Sequence, residues 1–200
     1  MALVLITPPA GDVVSLASAK AACRVEHDED DAYIAGLVAA AVGWLDRALR
    51  PQTWELRLDA FPCGWDGRAS GRTDVIDLPL PPLIGVTAVQ YRDPSGALQT
   101  LAPASWRASG IGALGGGALR PAPGWSWPAA EPGPEAAIVR FEAGHPDVGG
   151  STTVPAPIQQ AVRLLAAHWY ERREASTAET LAEAPFAVRA LLAGYRTWRP

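Results

Sequence analysis

The chain has 200 residues, a formal net charge of −4, two cysteines and eight tryptophans. A chain of this length buries roughly 70% of its extended surface on folding, so it needs neither metal nor disulfide staples. Its basic residues form no stripe, which argues against a DNA-reading domain, and the spacing of Cys23 and Cys63 suggests neither a metal site nor a disulfide scaffold. So few cysteines favour a reduced, intracellular origin, and whether the two pair is left open. The opening MALVLITPP is apolar but short, has no basic leader and is cut off at Pro8, so neither a signal peptide nor an anchor is expected. No apolar run approaches the ~20 residues of a membrane helix. Lys20 is the single lysine, so arginine carries the positive charge. Tryptophan at this density suits a core, a protein interface or a carbohydrate site.

Residues 13–50 read as helical, within an N-terminal part spanning 1–51. Ser15 is a candidate N-cap for a short helix to about Val25. In HDEDDAYIAGLVAAAVGWLDRALRP, Asp28 is placed to cap a second helix. There Ile34, Leu37, Val38, Ala41, Leu45 and Leu49 make one apolar stripe, ended by Pro51. The cluster Asp28, Glu29, Asp30, Asp31 lacks the alternating ligands and closing glutamate of a calcium loop. Negative charge in a first helical turn is explained by the helix dipole, and no metal is expected.

Residues 52–145 change character. TWELRLDAF alternates, with Trp54, Leu56 and Leu58 on one side and Glu55, Arg57 and Asp59 on the other, the pattern of a half-buried strand. VIDLPLPPL reads as extended. GVTAVQYRDPSGALQTL predicts a hairpin about Asp93-Pro94-Ser95-Gly96, with Val86, Ala88 and then Gln90 or Tyr91 on the first strand. SWRAS and AAIVRFEAG add two strands, the second with Ile138 and Phe141 apolar, and the links are too short for helical crossovers, so pairing is antiparallel. The intervening stretch 110–135 contains Gly115, Gly116 and Gly117 but no phosphate-loop pattern. It reads as an irregular connection pinned to the sheet by Trp125 and Trp127.

Residues 146–200 are helical again. Pro157 fits a first turn, and Ile158, Val162, Leu165 and Trp169 recur on one face, with Ala161, Leu164 and His168 beside them. Another helix begins near Pro185, with Phe186, Val188, Leu191, Leu192 and Tyr195 as its stripe, and 175–184 links the two. The expected fold class is α+β: a bundle of N- and C-terminal helices carrying a β-rich antiparallel insert, in one domain.

Chemistry needs converging groups, and the three histidines, His27, His145 and His168, lie in separate segments outside any HExxH, GxSxG or cysteine-protease context. His168 shares a helix face with Leu164 and Arg172, and no zinc ligands accompany it. No catalytic residue, metal or cofactor is expected.

The ordered segments LITPPAGDVVSLASAKAACRVEHDEDDAYIAGLVAAA, QTWELRLDAFP, IDLPLPPLIGVTAVQYRDPSGALQTL, RPAPGWSWP, PAPIQQAVRLLAAHWYERRE and PFAVRALLAGYRTW resemble the head–tail connector, or adaptor, proteins of tailed phages and prophages. Within that family the resemblance is to adaptors of phage-like gene transfer agents, from about Leu5 to Trp198. It implies a structural particle protein, made in the bacterial cytoplasm, that forms a dodecameric ring of its own copies beneath the portal protein. Such a ring joins the portal to stopper and tail proteins around a DNA channel, without specific DNA binding, membrane or cofactor. A closing ring needs two different complementary faces per subunit. The expected docking residues, toward the portal or a neighbouring copy, are Tyr195, Arg196, Trp198 and Arg199. The inter-subunit candidates are His168, Glu171, Arg172, Arg173 and Glu174. The competing reading is a carbohydrate- or receptor-binding module of a phage-like particle, which predicts tryptophans exposed along one sheet face; the framing helices argue against it.

Overall fold

The structure, a computed structural model, describes residues 1–9, 11–45, 49–62, 74–149, 151–172 and 186–195. In chain order the strands and helices are β1 (Ala2–Thr7), α1 (Leu16–Cys23), α2 (Asp31–Trp44), β2 (Gln52–Leu58), β3 (Ile76–Leu78), β4 (Leu83–Arg92), β5 (Leu98–Thr100), β6 (Trp106–Ser109), β7 (Gly117–Pro121), β8 (Ala137–Ala143), β9 (Asp147–Val148), β10 (Ser151–Thr152), α3 (Ala156–Glu171) and α4 (Phe186–Leu192). Short 3₁₀ turns occupy Pro103–Ser105 and Ala193–Tyr195. The fold class is α+β, and the pairings between these strands are antiparallel. Two compact units form: Met1–Ala10 with Pro51–His145, and Gly11–Arg50 with Pro146–Pro200.

The first unit is built on a five-stranded sheet ordered β1-β2-β8-β4-β5. The opening segment, expected to precede helices, is a strand of this sheet, because Ala2, Leu3, Val4, Leu5 and Thr7 pair along β2 from Ala2↔Arg57 to Thr7↔Thr53. The helices are therefore not the first element of the chain. One row of side chains runs Leu3, Leu56, Val139, Val89 across four strands. The last three are fully buried. The buried β4 residues are Leu83 and Val89, not the expected Val86 and Ala88, because register irregularities at Leu83/Gly85 and Val86/Ala88 break the period of two. The Asp93–Gly96 turn forms as expected, with Gly96 at φ 83. Asp93 Oδ1 accepts from the backbone N–H groups of Ser95 and Ala97.

A second sheet, β3-β7-β6, belongs to the same unit. Its middle strand comes from the glycine run expected to be irregular: β7 starts at Gly117, where a Cβ would overlap the Leu83 side chain. Gly117 thus serves close packing. Of the two tryptophans expected to pin this stretch, Trp127 does so. It stacks on Phe61 with centroids 4.9 Å apart, and its indole N–H donates to the Asp74 carbonyl at 2.8 Å. Trp125 does not, being 58% exposed.

In the second unit α3 packs on α1, α2 and α4. The core joins Ile34, Val38, Ala41, Leu45 and Leu49 to Ile158, Ala161, Val162 and Leu165, with Val188 and Leu192 from α4. Ser15 caps α1, its hydroxyl accepting from the Ser18 N–H at 3.3 Å. Asp28 does not cap α2, which starts three residues later with no side-chain cap bond from Asp30. The reason is competition: Lys20 Nζ sits 2.6 Å from Asp28 and 2.7 Å from Asp31, while the Tyr170 hydroxyl donates to Asp30. Phe186, placed in the α4 stripe by its spacing, is 87% exposed, because the helix starts there and its inward face begins with Val188.

Candidate assembly surfaces

The three histidines have different surroundings. His27 is exposed beside Glu29, with Nδ1 2.8 Å from the carboxylate. His145 is half-buried, and burial holds its imidazole below the ordinary histidine range. His168 is half-buried in the last turns of α3, where its carbonyl accepts the Arg172 N–H at 3.1 Å. Among the described residues no group of three or more His, Cys, Asp or Glu is placed to hold a metal ion.

The end of α3 is joined to the rest of the helical unit along one side and exposed at its tip. Tyr170 bonds Asp30, and its ring lies 6.1 Å from that of Tyr33. Trp169 and Tyr170 pack on the helical core. Cys23 is a free thiol; burial, with the nearby Glu171 charge, pushes it above the usual thiol range. Glu171 and Arg172 are exposed. Of the expected docking set, Tyr195 is half-buried against the same core. Arg173, Glu174, Arg196, Trp198 and Arg199 lie outside the described residues.

Sequence reasoning missed two buried charge clusters. In the sheet unit Glu55 lies on the face expected to be solvated, yet its side chain is only 7% exposed. Register places Arg140 directly opposite it on β8. Arg140 Nη2 approaches Glu55 Oε1 at 2.5 Å and Arg57 Nη2 approaches Oε2 at 3.0 Å, while Arg57 also reaches Glu135. Burial alone would raise the Glu55 carboxyl, but the two guanidiniums outweigh it and hold the group below the usual range. In the helical unit Arg50 is 9% exposed, and two of its nitrogens meet both Asp147 oxygens at 2.6 and 2.7 Å. Thr152 Oγ1 also accepts from Arg50, at 3.3 Å. The Asp147 bond raises the guanidinium's affinity for its proton, and the Arg50 bond lowers the Asp147 carboxyl. The Glu55–Arg57 alternation is the only sequence signal for either cluster, because Arg50 and Asp147 are 97 residues apart.

Apolar side chains also reach the surface at separate places. Leu3, Leu5 and Ile6 are exposed on β1, Leu98 on β5, and Trp44 at the end of α2. The described tryptophans of the strands, Trp54 and Trp106, are half-buried. The exposed pair, Trp44 and Trp125, belongs to a helix and a loop, so the described residues offer no tryptophan row along a sheet face. No described helix is long and apolar enough to cross a membrane.

Residues 138–196 match the family model of phage gp6-like head–tail connector proteins. The whole chain is similar in structure to a chain in the neck of an empty GTA particle computed with C6 symmetry, at 27% identity and TM-score 0.72, covering 100% of this chain and 97% of that one. A chain of the virion of a native gene transfer agent particle gives 26% identity, TM-score 0.74 and the same coverage. A third, from the neck of a native GTA particle computed with C12 symmetry, gives 28% identity, TM-score 0.67 and coverage of 98% and 97%. No curated protein matches. The sequence match over 138–196 and the full-length likeness point the same way: the chain is similar to phage gp6-like head–tail connector proteins and to chains of gene transfer agent particles.

Proposed function

We propose that this chain is a structural, non-enzymatic head–tail connector at the neck of a phage-like particle, and that its copies form a ring there. The observation that carries the reading is the likeness to neck chains along nearly the full length of both partners, together with the connector match at 138–196. In this reading the ring is dodecameric. It sits beneath the portal protein, joins it to stopper and tail proteins, and surrounds the DNA path without binding a sequence. The net charge of −4 suits a channel through which DNA must slide, since many phosphate contacts would brake it. The finer architecture is a bundle of the N- and C-terminal helices carrying the β-rich insert. The stretch holding His168, Glu171, Arg172, Arg173 and Glu174 contributes to the contact with the next subunit, and the segment from Tyr195 onward docks on the portal or a neighbour.

Deleting the chain from a producing strain tests this reading. Filled heads without tails are expected in electron micrographs, restored by a plasmid copy. Particles with normal necks and tails in the deletion strain would overturn it. Truncation after Gly194 is expected to give the same tailless heads, and reversing Arg172 and Arg173 to glutamate to disturb ring formation while the isolated chain melts as before.

A further inference from the structure

β1 lies at one end of the five-stranded sheet, and β2 is its one strand neighbour among the described residues. It spans Ala2–Thr7 with no charged residue and no proline, and its register is regular from Ala2 to Leu5. Leu3 is 37% exposed, and Leu5 and Ile6 are each 42% exposed. Protein sheets normally blunt an open edge with lysine, proline, a bulge or a very short strand, because unpaired N–H and C=O groups recruit another strand. Here the protection begins only past the middle of the strand, at the irregularity between Leu5 and Thr7 and the prolines at 8 and 9. The opposite end of the sheet is β5, Leu98–Thr100, also uncharged and exposed at all three residues, with Leu98 at 50%.

We propose that the open edge of β1 is a subunit–subunit contact, pairing with the β5 edge of a second copy of this chain. The proposal rests on the ring reading above. A closing ring needs two unlike surfaces per subunit that fit each other, and among the described residues this one sheet presents two unlike ends with no further strand paired to them. Neither end carries a charge that would repel the other or oppose desolvation. Pairing continues the hydrogen-bonded ladder across the boundary and covers Leu3, Leu5 and Leu98.

The test uses whole particles from the deletion strain complemented with variants. Leu5→Lys with Ile6→Lys places ammonium groups on the edge at two side chains that are each 42% exposed. Particle-bound chain is expected to fall by at least ~10-fold, while the melting temperature of the isolated chain stays near wild type. Leu5→Val with Ile6→Val is expected to assemble normally. In a Cys23→Ser, Cys63→Ser background, Leu3→Cys or Leu5→Cys combined with Leu98→Cys is expected to give, on oxidation, a ladder of multiples of the chain. Normal necks with the lysine pair would overturn the edge contact and leave the ring reading standing. Dimers from Leu3→Cys alone, marking β1-to-β1 pairing, or a crosslink to a protein of different mass, would overturn the choice of partner. Absence of the wild-type chain from necks would overturn the ring reading and this inference together.

Discussion

Among the described residues each unit buries one charged group, but the two solutions are opposites. In the sheet unit a buried anion, Glu55, is held by two arginines, and Arg140 remains 46% exposed. In the helical unit a buried cation, Arg50, is held by the Asp147 carboxylate, itself 47% exposed. The first cluster is made by strand register, so it exists wherever β2 and β8 pair correctly. The second ties residue 50 to residue 147, the points at which the chain leaves and re-enters the helical unit. In both, the partner near solvent can be lost cheaply for itself, and the cost falls on the charge left inside.

The largest effect is therefore expected from removing both cations of the sheet cluster. Arg57→Ala with Arg140→Ala leaves Glu55 buried and unpaired, and a loss of about 3–5 kcal/mol is expected in denaturant melts. Glu55→Leu in the same double variant should return most of that loss. A failure to recover would locate the cost in the arginine stems rather than the orphaned carboxylate. The sign of the pH dependence separates the same two accounts. In the wild type the folded Glu55 carboxyl lies below its ordinary value of 4.5, so its contribution is present above that pH and fades as pH falls through the folded value. Without the arginines only burial acts, the folded value moves above 4.5, and stability at this site should instead rise as the solution is acidified.

A smaller loss is expected from Asp147→Ala, about 2–3 kcal/mol, because Arg50 keeps its bond to Thr152 and can draw in water where Asp147 stood. Smaller again is Ser15→Ala at the α1 cap, about 1 kcal/mol. Thermal melts that ranked Ser15→Ala above Asp147→Ala would mean that the Arg50 tie adds little and that the helical unit rests on its apolar core alone.

The two clusters also mark what sequence can convey. Helix faces were legible because Ile34, Val38, Ala41, Ile158, Val162 and Leu165 repeat at helical spacing and nothing competes with them. The cap of α2 was not, because Lys20 and Tyr170, distant in sequence, claim the acids that would have formed it. The β4 face was misread because its register irregularities flip the alternation. β1 was missed because a short apolar run has no period of its own, and only pairing with β2 makes it a strand. For the assembly surfaces, the charged tip of α3 was visible as composition, whereas an open sheet edge is a property of strand order, which one-dimensional pattern does not encode.

The smallest effect belongs to the hairpin turn, whose position at Asp93-Pro94-Ser95-Gly96 was readable in advance. Asp93 is held down to about 2 by the Ser95 hydroxyl, then Gln99 and the backbone N–H groups of Ser95 and Ala97. Its ordinary value is 3.8, so the folded chain binds this proton later than the unfolded one. The stabilisation is complete above that ordinary value and is lost as pH falls through about 2. Asp93→Asn keeps the turn shape and one acceptor oxygen but has no proton to gain. The gap in melting temperature between wild type and this variant should therefore be constant from neutral pH to about 4 and narrow steadily toward 2. A gap that stays constant down to pH 2 would mean that Asp93 holds the turn by shape alone. That would separate this exposed carboxylate from buried Glu55, whose charge the sheet cannot lose without cost.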